Sequence, residues 1–246
     1  MNASKKKVMS KTAVLEALAK RVFAYNLLSR VFIEEANAEF LKTLIDNNLL
    51  ESFPFQEKDA TLPPALTEAG FYLKDPDILN EHNILMLGSD FLALYVGPEK
   101  MKAGPYESMY RSQKKLLFQE HTLQVRDSYA KEGFKSKNMQ REPDDHMGLE
   151  LEFMAKMSEK AYDATRTAKF SAAKRALKSM KSFLDEHILV WVDAYVDRSI
   201  KGAGTDFYRG MAKVLRATVK LDAGLLEELL EAVNEQAKLR KAKTDT

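Results

Sequence analysis

The sequence predicts an all-α protein, a single globular helical domain of about nine to eleven helices, and three observations carry that expectation. Apolar residues recur at three- and four-residue steps along much of the chain, the period of one helix face. Alternating apolar and polar runs rich in β-branched residues, which mark half-buried strands, are almost absent. Prolines crowd the first half: Pro54, Pro63, Pro64, Pro76, Pro98 and Pro105 precede residue 106, and only Pro143 follows. Since proline inside a helix costs about 3 kcal/mol, the second half is free to form nearly continuous helices.

Taken in order, Leu15, Leu18, Val22, Tyr25 and Phe32 trace one face of a first helix over 12–35, with Thr12 as its candidate cap. Further helices are expected over 37–52, 77–96, 107–131, 143–169, 171–185 and 187–201, the last marked by Ile188, Val192 and Tyr195. Two more are expected over 206–221 and 223–241. Leu226, Leu229, Leu230, Val233 and Ala237 form the stripe of the final one, after Asp222 as a candidate cap. The proline-bearing stretches 53–66 and 97–105 read as loops, and Lys131 to Arg141, with Gly133, as an exposed hinge. This divides the chain into a basic flexible N-terminus (1–11), a helical domain (12–241) and a flexible C-terminus (242–246).

Composition narrows the chemistry. A chain of 246 residues without a single cysteine has no disulfide scaffold, thiolate metal site or thiol nucleophile. The net charge of +2 hides a division: residues 1–11 carry +4, residues 238–246 carry +3, and the body between them is left at −5. A nucleic-acid binder usually has a basic body, so this distribution favours a cationic partner over DNA. The lysines near the N-terminus are followed by Glu16, Lys20 and Arg21 rather than an uncharged apolar stretch, so no leader is read there. The longest apolar runs, Phe91 to Val96 and Ile188 to Val192, fall far short of the roughly 20 residues that span a bilayer. A cytoplasmic protein without stable membrane insertion is expected.

Two stretches carry candidate chemistry. In the first, Gly97-Pro98 and Gly104-Pro105 set two sharp turns, with Tyr95, Tyr106, Glu107, Ser108 and Tyr110 gathered around them. This is either a tyrosine-packed corner or the mouth of a peptide-binding groove. The second is Glu142-Pro143-Asp144-Asp145-His146, leading into Leu149, Glu150, Phe153 and Met154. Pro143 suits a helix opening, and Asp144 and Asp145 lie at the positive end of the helix dipole. Either aspartate is a candidate cap, while His146 and Glu150, four residues apart, share a face with Phe153 and Met157. No third ligand gives a metal site, and nothing suggests a nucleophile beside His146. Gly202-Ala203-Gly204 imitates a phosphate loop only faintly, lacking the preceding strand and the lysine. His187 and Trp191 read as a packed core pair.

These stretches, in this order, resemble the TorD/DmsD (NarJ-like) family of redox-enzyme maturation chaperones. The resemblance rests on the aromatic helix end running into Gly97-Pro98, on Pro105-Tyr106-Glu107-Ser108 with Tyr110, and on Glu142-Pro143-Asp144-Asp145-His146 with its following helix. Phe183, His187 and Trp191, then Phe207-Tyr208, give a further echo. The segment between the two Gly-Pro steps is more charged than the proline-rich version common in the family.

The resemblance implies a non-enzymatic, cofactor-free cytoplasmic chaperone. Such proteins bind the twin-arginine signal peptide of a molybdenum-cofactor enzyme's catalytic subunit and hold that subunit back from export until its cofactor is inserted. It places peptide recognition at Pro143, Asp145 and His146 and along the Gly97 to Tyr110 loop. On this reading Glu107, Glu142, Asp144, Asp145 and Glu150 offer carboxylates to the arginines. Tyr95, Tyr106, Tyr110, Phe153 and Met157 line an apolar groove. His146, near those acids, is expected to favour its charged form and to act in positioning. The alternatives are a helical ligand-responsive DNA-binding regulator and an enzyme using His146 with a carboxylate. Monomer and dimer both remain open.

Overall fold

The structure, a computed structural model, describes residues 8–97, 100–111, 120–135 and 142–244. Pro98 and the greater part of the expected 131–141 hinge lie outside the described residues. Among the described residues ten α-helices follow one another: α1 (Lys11–Ile33), α2 (Ala38–Asp46), α3 (Leu62–Tyr72), α4 (Glu81–Phe91), α5 (Ser108–Arg111), α6 (Glu120–Lys131), α7 (Met147–Arg166), α8 (Phe170–Phe183), α9 (Val192–Gly202) and α10 (Asp206–Thr244). No strand occurs among the described residues, and none of their helices is long and apolar enough to cross a membrane.

One apolar cluster runs through the molecule from Val14 to Val233. α1 lies along α7, while α10 packs on α3, α8, α9 and α1. Ser10, not Thr12, caps α1 by accepting from the Ala13 N–H at 3.2 Å. Where α1 meets α7 the backbones come close. The Ser29 hydroxyl donates to the Gly148 carbonyl at 2.7 Å, and a Cβ at Gly148 would stand 2.8 Å from that of Ile33.

Two expectations are corrected. A helix, α3, begins inside the stretch read as a proline loop. Pro63 and Pro64 fall in its first turn, where a missing N–H leaves no intrahelical bond unmade. The last two expected helices are one unbroken helix of 39 residues. Asp222 does not cap anything: it sits buried in mid-helix, accepting from Arg21 Nη1 and from the Tyr25 hydroxyl, each at 2.6 Å. Arg21 also donates through Nε to Ser158 Oγ at 3.2 Å, so one polar knot ties α1, α7 and α10.

α4 and α8 each end in a widened, π-type turn, Leu92–Val96 and Leu184–Ile188. Such turns recur at functional sites because they shift the register of the side chains that follow. Both border the corner described next.

Candidate functional site

Gly97 closes the first π-type turn in a left-handed conformation (φ +56°), and its N–H donates to the Leu92 carbonyl at 2.6 Å. The chain then doubles back, with Lys102 N–H donating to Ala93 O at 3.1 Å and Ala103 N–H to Leu94 O at 2.8 Å. A Cβ at residue 97 would lie 2.9 Å from the Met101 nitrogen. Gly97→Ala is therefore expected to cost about 1–3 kcal/mol from the positive-φ backbone alone. A chemical denaturation midpoint reads that cost, and no shift contradicts the reading of the turn.

This return presents residues 105–108 to the segment before α7. Tyr106 and His146 pair as a single antiparallel bridge. The Met147 N–H donates to Pro105 O at 2.7 Å and the Glu107 N–H to Asp145 O at 3.0 Å. The two stretches singled out in the sequence thus share one wall. The third joins them: His187 Nδ1 stands 3.0 Å from Glu107 Oε2, and Trp191 Nε1 donates to Glu150 Oε2 at 3.3 Å.

The carboxylates are placed differently from the open acidic groove expected. Glu107, Asp144, Asp145 and Glu150 are buried, and Glu142 alone of the five is half-exposed. Asp145 accepts from the Ser108 N–H at 2.9 Å and from Thr122 Oγ1 at 2.8 Å, so it caps the short α5 rather than α7. Asp144 accepts from Arg126 Nε at 2.6 Å, and Glu107 pairs with Arg111. Glu142 accepts from the Tyr106 hydroxyl at 2.7 Å. Burial, followed by the nearby charges of Glu107 and Asp145, pushes the Glu150 carboxyl well above its usual range and toward its neutral form. Among the described residues, its Oε1, like the Ser108 hydroxyl, is buried without a hydrogen-bond partner.

His146 is itself the cap of α7: its Nδ1 accepts from the Gly148 N–H at 3.0 Å. Burial lowers its pKa to about 3, so it is neutral, contrary to the charged form expected beside the acids. Desolvation outweighs the neighbouring carboxylates because these are already engaged by other donors. The apolar groove is corrected as well. Tyr95, Phe153 and Met157 are core residues, whereas Tyr106 and Tyr110 are half-buried. Tyr110 lies 5.2 Å from the Trp191 ring with the Arg198 guanidinium 4.7 Å above it.

Beside the corner opens a cavity of about 850 Å³ lined by Lys100, Met101, Lys102, Met109, Arg198, Lys201 and Gly202. Its charged lining is all basic, which suits no arginine. The imitation phosphate loop is also occupied from within, since Gly204 N–H and Thr205 N–H donate to Asp90 at 2.9 and 2.8 Å. Among the described residues no group of three His, Asp or Glu side chains could hold a metal ion.

Sequence reasoning missed Arg111, Thr122, Arg126 and the contact of His187 with Glu107. A signal existed for two of them. Thr122 and Arg126 lie four residues apart on α6 and both reach the Asp144–Asp145 pair.

Comparison with known proteins bears on the family of the chain. A family model described as "Nitrate reductase delta subunit" matches residues 57–197. The chain is 29% identical over 147 residues to the chaperone protein TorD of Vibrio cholerae, covering 60% of this chain and 65% of that protein's length. It is 24% identical over 207 residues to the TorD of Vibrio parahaemolyticus, covering 84% and 94%. To the TorD of Shewanella oneidensis it is 25% identical over 224 residues, covering 88% and 94%. With the matched model spanning more than half of its length and the motif stretches meeting in one corner, the chain belongs to the nitrate reductase delta subunit family, the family of the TorD chaperones.

Proposed function

We propose that this protein is a cytoplasmic maturation chaperone for a molybdenum-cofactor oxidoreductase. It binds the twin-arginine signal peptide of the apo catalytic subunit, assists cofactor insertion and delays export. The observation that carries the reading is the convergence of residues 104–110, 142–150 and 187–191 on one carboxylate-rich corner, with Glu142 at its surface.

Charge supports it. Residues 31–97 hold twelve acids against three lysines, a field that draws in a cationic segment. The apolar part of such a peptide finds a surface on the outer face of α4, where Leu85, Leu92 and Val96 are exposed at helical spacing and lead directly to Gly97. An exposed stripe of this kind marks an interaction site more often than a free surface does. Each charge-assisted bond to a shielded carboxylate contributes about 1.5–3 kcal/mol, and the apolar contact supplies most of the remainder.

Titration calorimetry with a synthetic leader tests this. Micromolar or tighter binding of the Arg-Arg peptide is expected, with clear loss for its Lys-Lys version, because only arginine offers a planar fork. Asp145→Asn is the informative variant. An asparagine can accept from Ser108 N–H and donate to Thr122 Oγ1, so it removes the charge while keeping the corner's geometry. It is expected to weaken binding while the corner stays folded. Equal affinity for both peptides contradicts the proposal.

A further inference from the structure

The corner's buried carboxylates are not empty in the free protein. Two of them already hold a guanidinium each: Glu107 holds Arg111 and Asp144 holds Arg126. In both pairs the acid is inside and the arginine outside. The carboxylates are 0% and 1% exposed, whereas the Arg111 and Arg126 side chains are 30% and 35% exposed. A group arriving from solvent therefore meets the arginine first and the acid only behind it.

Neither resident arginine uses its planar fork. Among the described residues Arg111 bonds through Nη1 alone, shared between Glu107 and the Glu186 carbonyl, and Arg126 bonds through Nε alone. Arginine has five donors, and its strongest carboxylate contacts are bidentate. Among the described residues, unpartnered polar atoms lie within the same cluster. Glu150 Oε1 and the Ser108 hydroxyl are buried without partners, the first within electrostatic reach of Glu107 and the second directly after it in the chain. The segments carrying the two held acids are joined through their backbones, since the Glu107 N–H donates to Asp145 O, one residue from Asp144.

We infer that Arg111 and Arg126 are resident stand-ins for the two arginines of the leader, and that the leader binds by exchange. The incoming pair of guanidinium groups takes over Glu107 and Asp144, and the displaced arginines swing into solvent. This rests on the function proposed above and adds its mechanism of regulation. Exchange solves a physical difficulty in direct capture: a buried carboxylate waiting bare for its ligand is strongly destabilising, whereas one handed from guanidinium to guanidinium is never uncompensated. It also sets affinity. The resident arginines compete with the leader for the same carboxylates, so the more stable the self-occupied state is, the higher the apparent dissociation constant.

The test uses the wild-type chain and one variant. In nitrogen-15 spectra of the free protein, the Arg126 Nε–H is expected to be shifted and protected by Asp144. On saturation with the Arg-Arg leader it should move to the position of a solvated arginine. In Arg111→Gln/Arg126→Gln the leader is expected to bind about tenfold more tightly, as removal of a self-occupied state requires. If that variant does not fold, the wild-type spectrum decides alone. Leader binding with the Arg126 signal unmoved, or affinity unchanged or weakened in a folded double variant, overturns exchange while leaving leader recognition standing. No binding of the leader to the wild-type chain overturns the proposed function itself, and exchange with it.

Discussion

Replacing Asp222 with alanine is expected to lower stability by about 3–5 kcal/mol, the usual cost of stripping one partner from a buried ion pair. The variant leaves the Arg21 guanidinium and the Tyr25 hydroxyl in the centre of the molecule without their acceptor. At roughly 2–4 °C per kcal/mol for a chain of this size, the melting temperature should fall by about 6–20 °C. Arg21→Met combined with Asp222→Leu is expected to recover much of that loss, since replacing both charges by apolar groups removes the uncompensated ion. A melting temperature unchanged in the single variant contradicts the assignment of this knot as the tie between α1, α7 and α10.

Acid should loosen the corner through His146. Its pKa is lowered from 6.5 to about 3 in the folded protein, so below pH 6.5 the unfolded chain takes up a proton that the folded chain refuses. Stability is then lost as pH falls from about 6.5 toward 3, by on the order of 1.4 kcal/mol per unit of the gap. Glu150 runs the other way. Its raised pKa stabilises the fold fully below 4.5, and that contribution declines as pH rises through the folded value. His146→Asn separates the two, because asparagine is a strong helix cap that does not titrate. The wild type should lose stability relative to His146→Asn between pH 7 and pH 4, read from denaturation midpoints. Parallel curves contradict a buried, neutral His146.

The helices were legible where local rules govern. Of the stripe Leu15, Leu18, Val22, Tyr25 and Phe32, three members (Leu18, Tyr25 and Phe32) lie in the core while Leu15 and Val22 are half-buried, and the absence of strand patterns matched the described fold. Long-range pairing was not legible. Asp222 looks like a cap because nothing near it in sequence neutralises it, and its partner Arg21 is 201 positions away. Pro63-Pro64 looks like a breaker because the same residue type opens helices and ends them. The corner was half legible. Its stretches could be named because they are contiguous, and the structure brings Pro105, Tyr106, Glu107 and Ser108 onto Asp145, His146 and Met147. The burial of its acids could not be foreseen. That depends on Thr122, Arg126, Arg111 and Trp191 arriving from four other positions in the chain to take up the oxygens. For the same reason His146 looked like a cation beside carboxylates, whereas its ring is sealed in as a cap.

Exposed apolar positions give a separate handle on the partner. Leu92→Asp or Val96→Asp should leave the melting temperature within about 2 °C, as surface substitutions usually do. Each should weaken leader binding severalfold by calorimetry, and unaltered affinity removes the outer face of α4 from the binding surface.

Hydrogen exchange with and without the Arg-Arg leader tests the central claim most directly. Residues 104–111 and 142–150 should gain protection on saturation. Protection confined to other parts of the chain, such as the α8–α10 surface around Phe170 and Lys238, contradicts it.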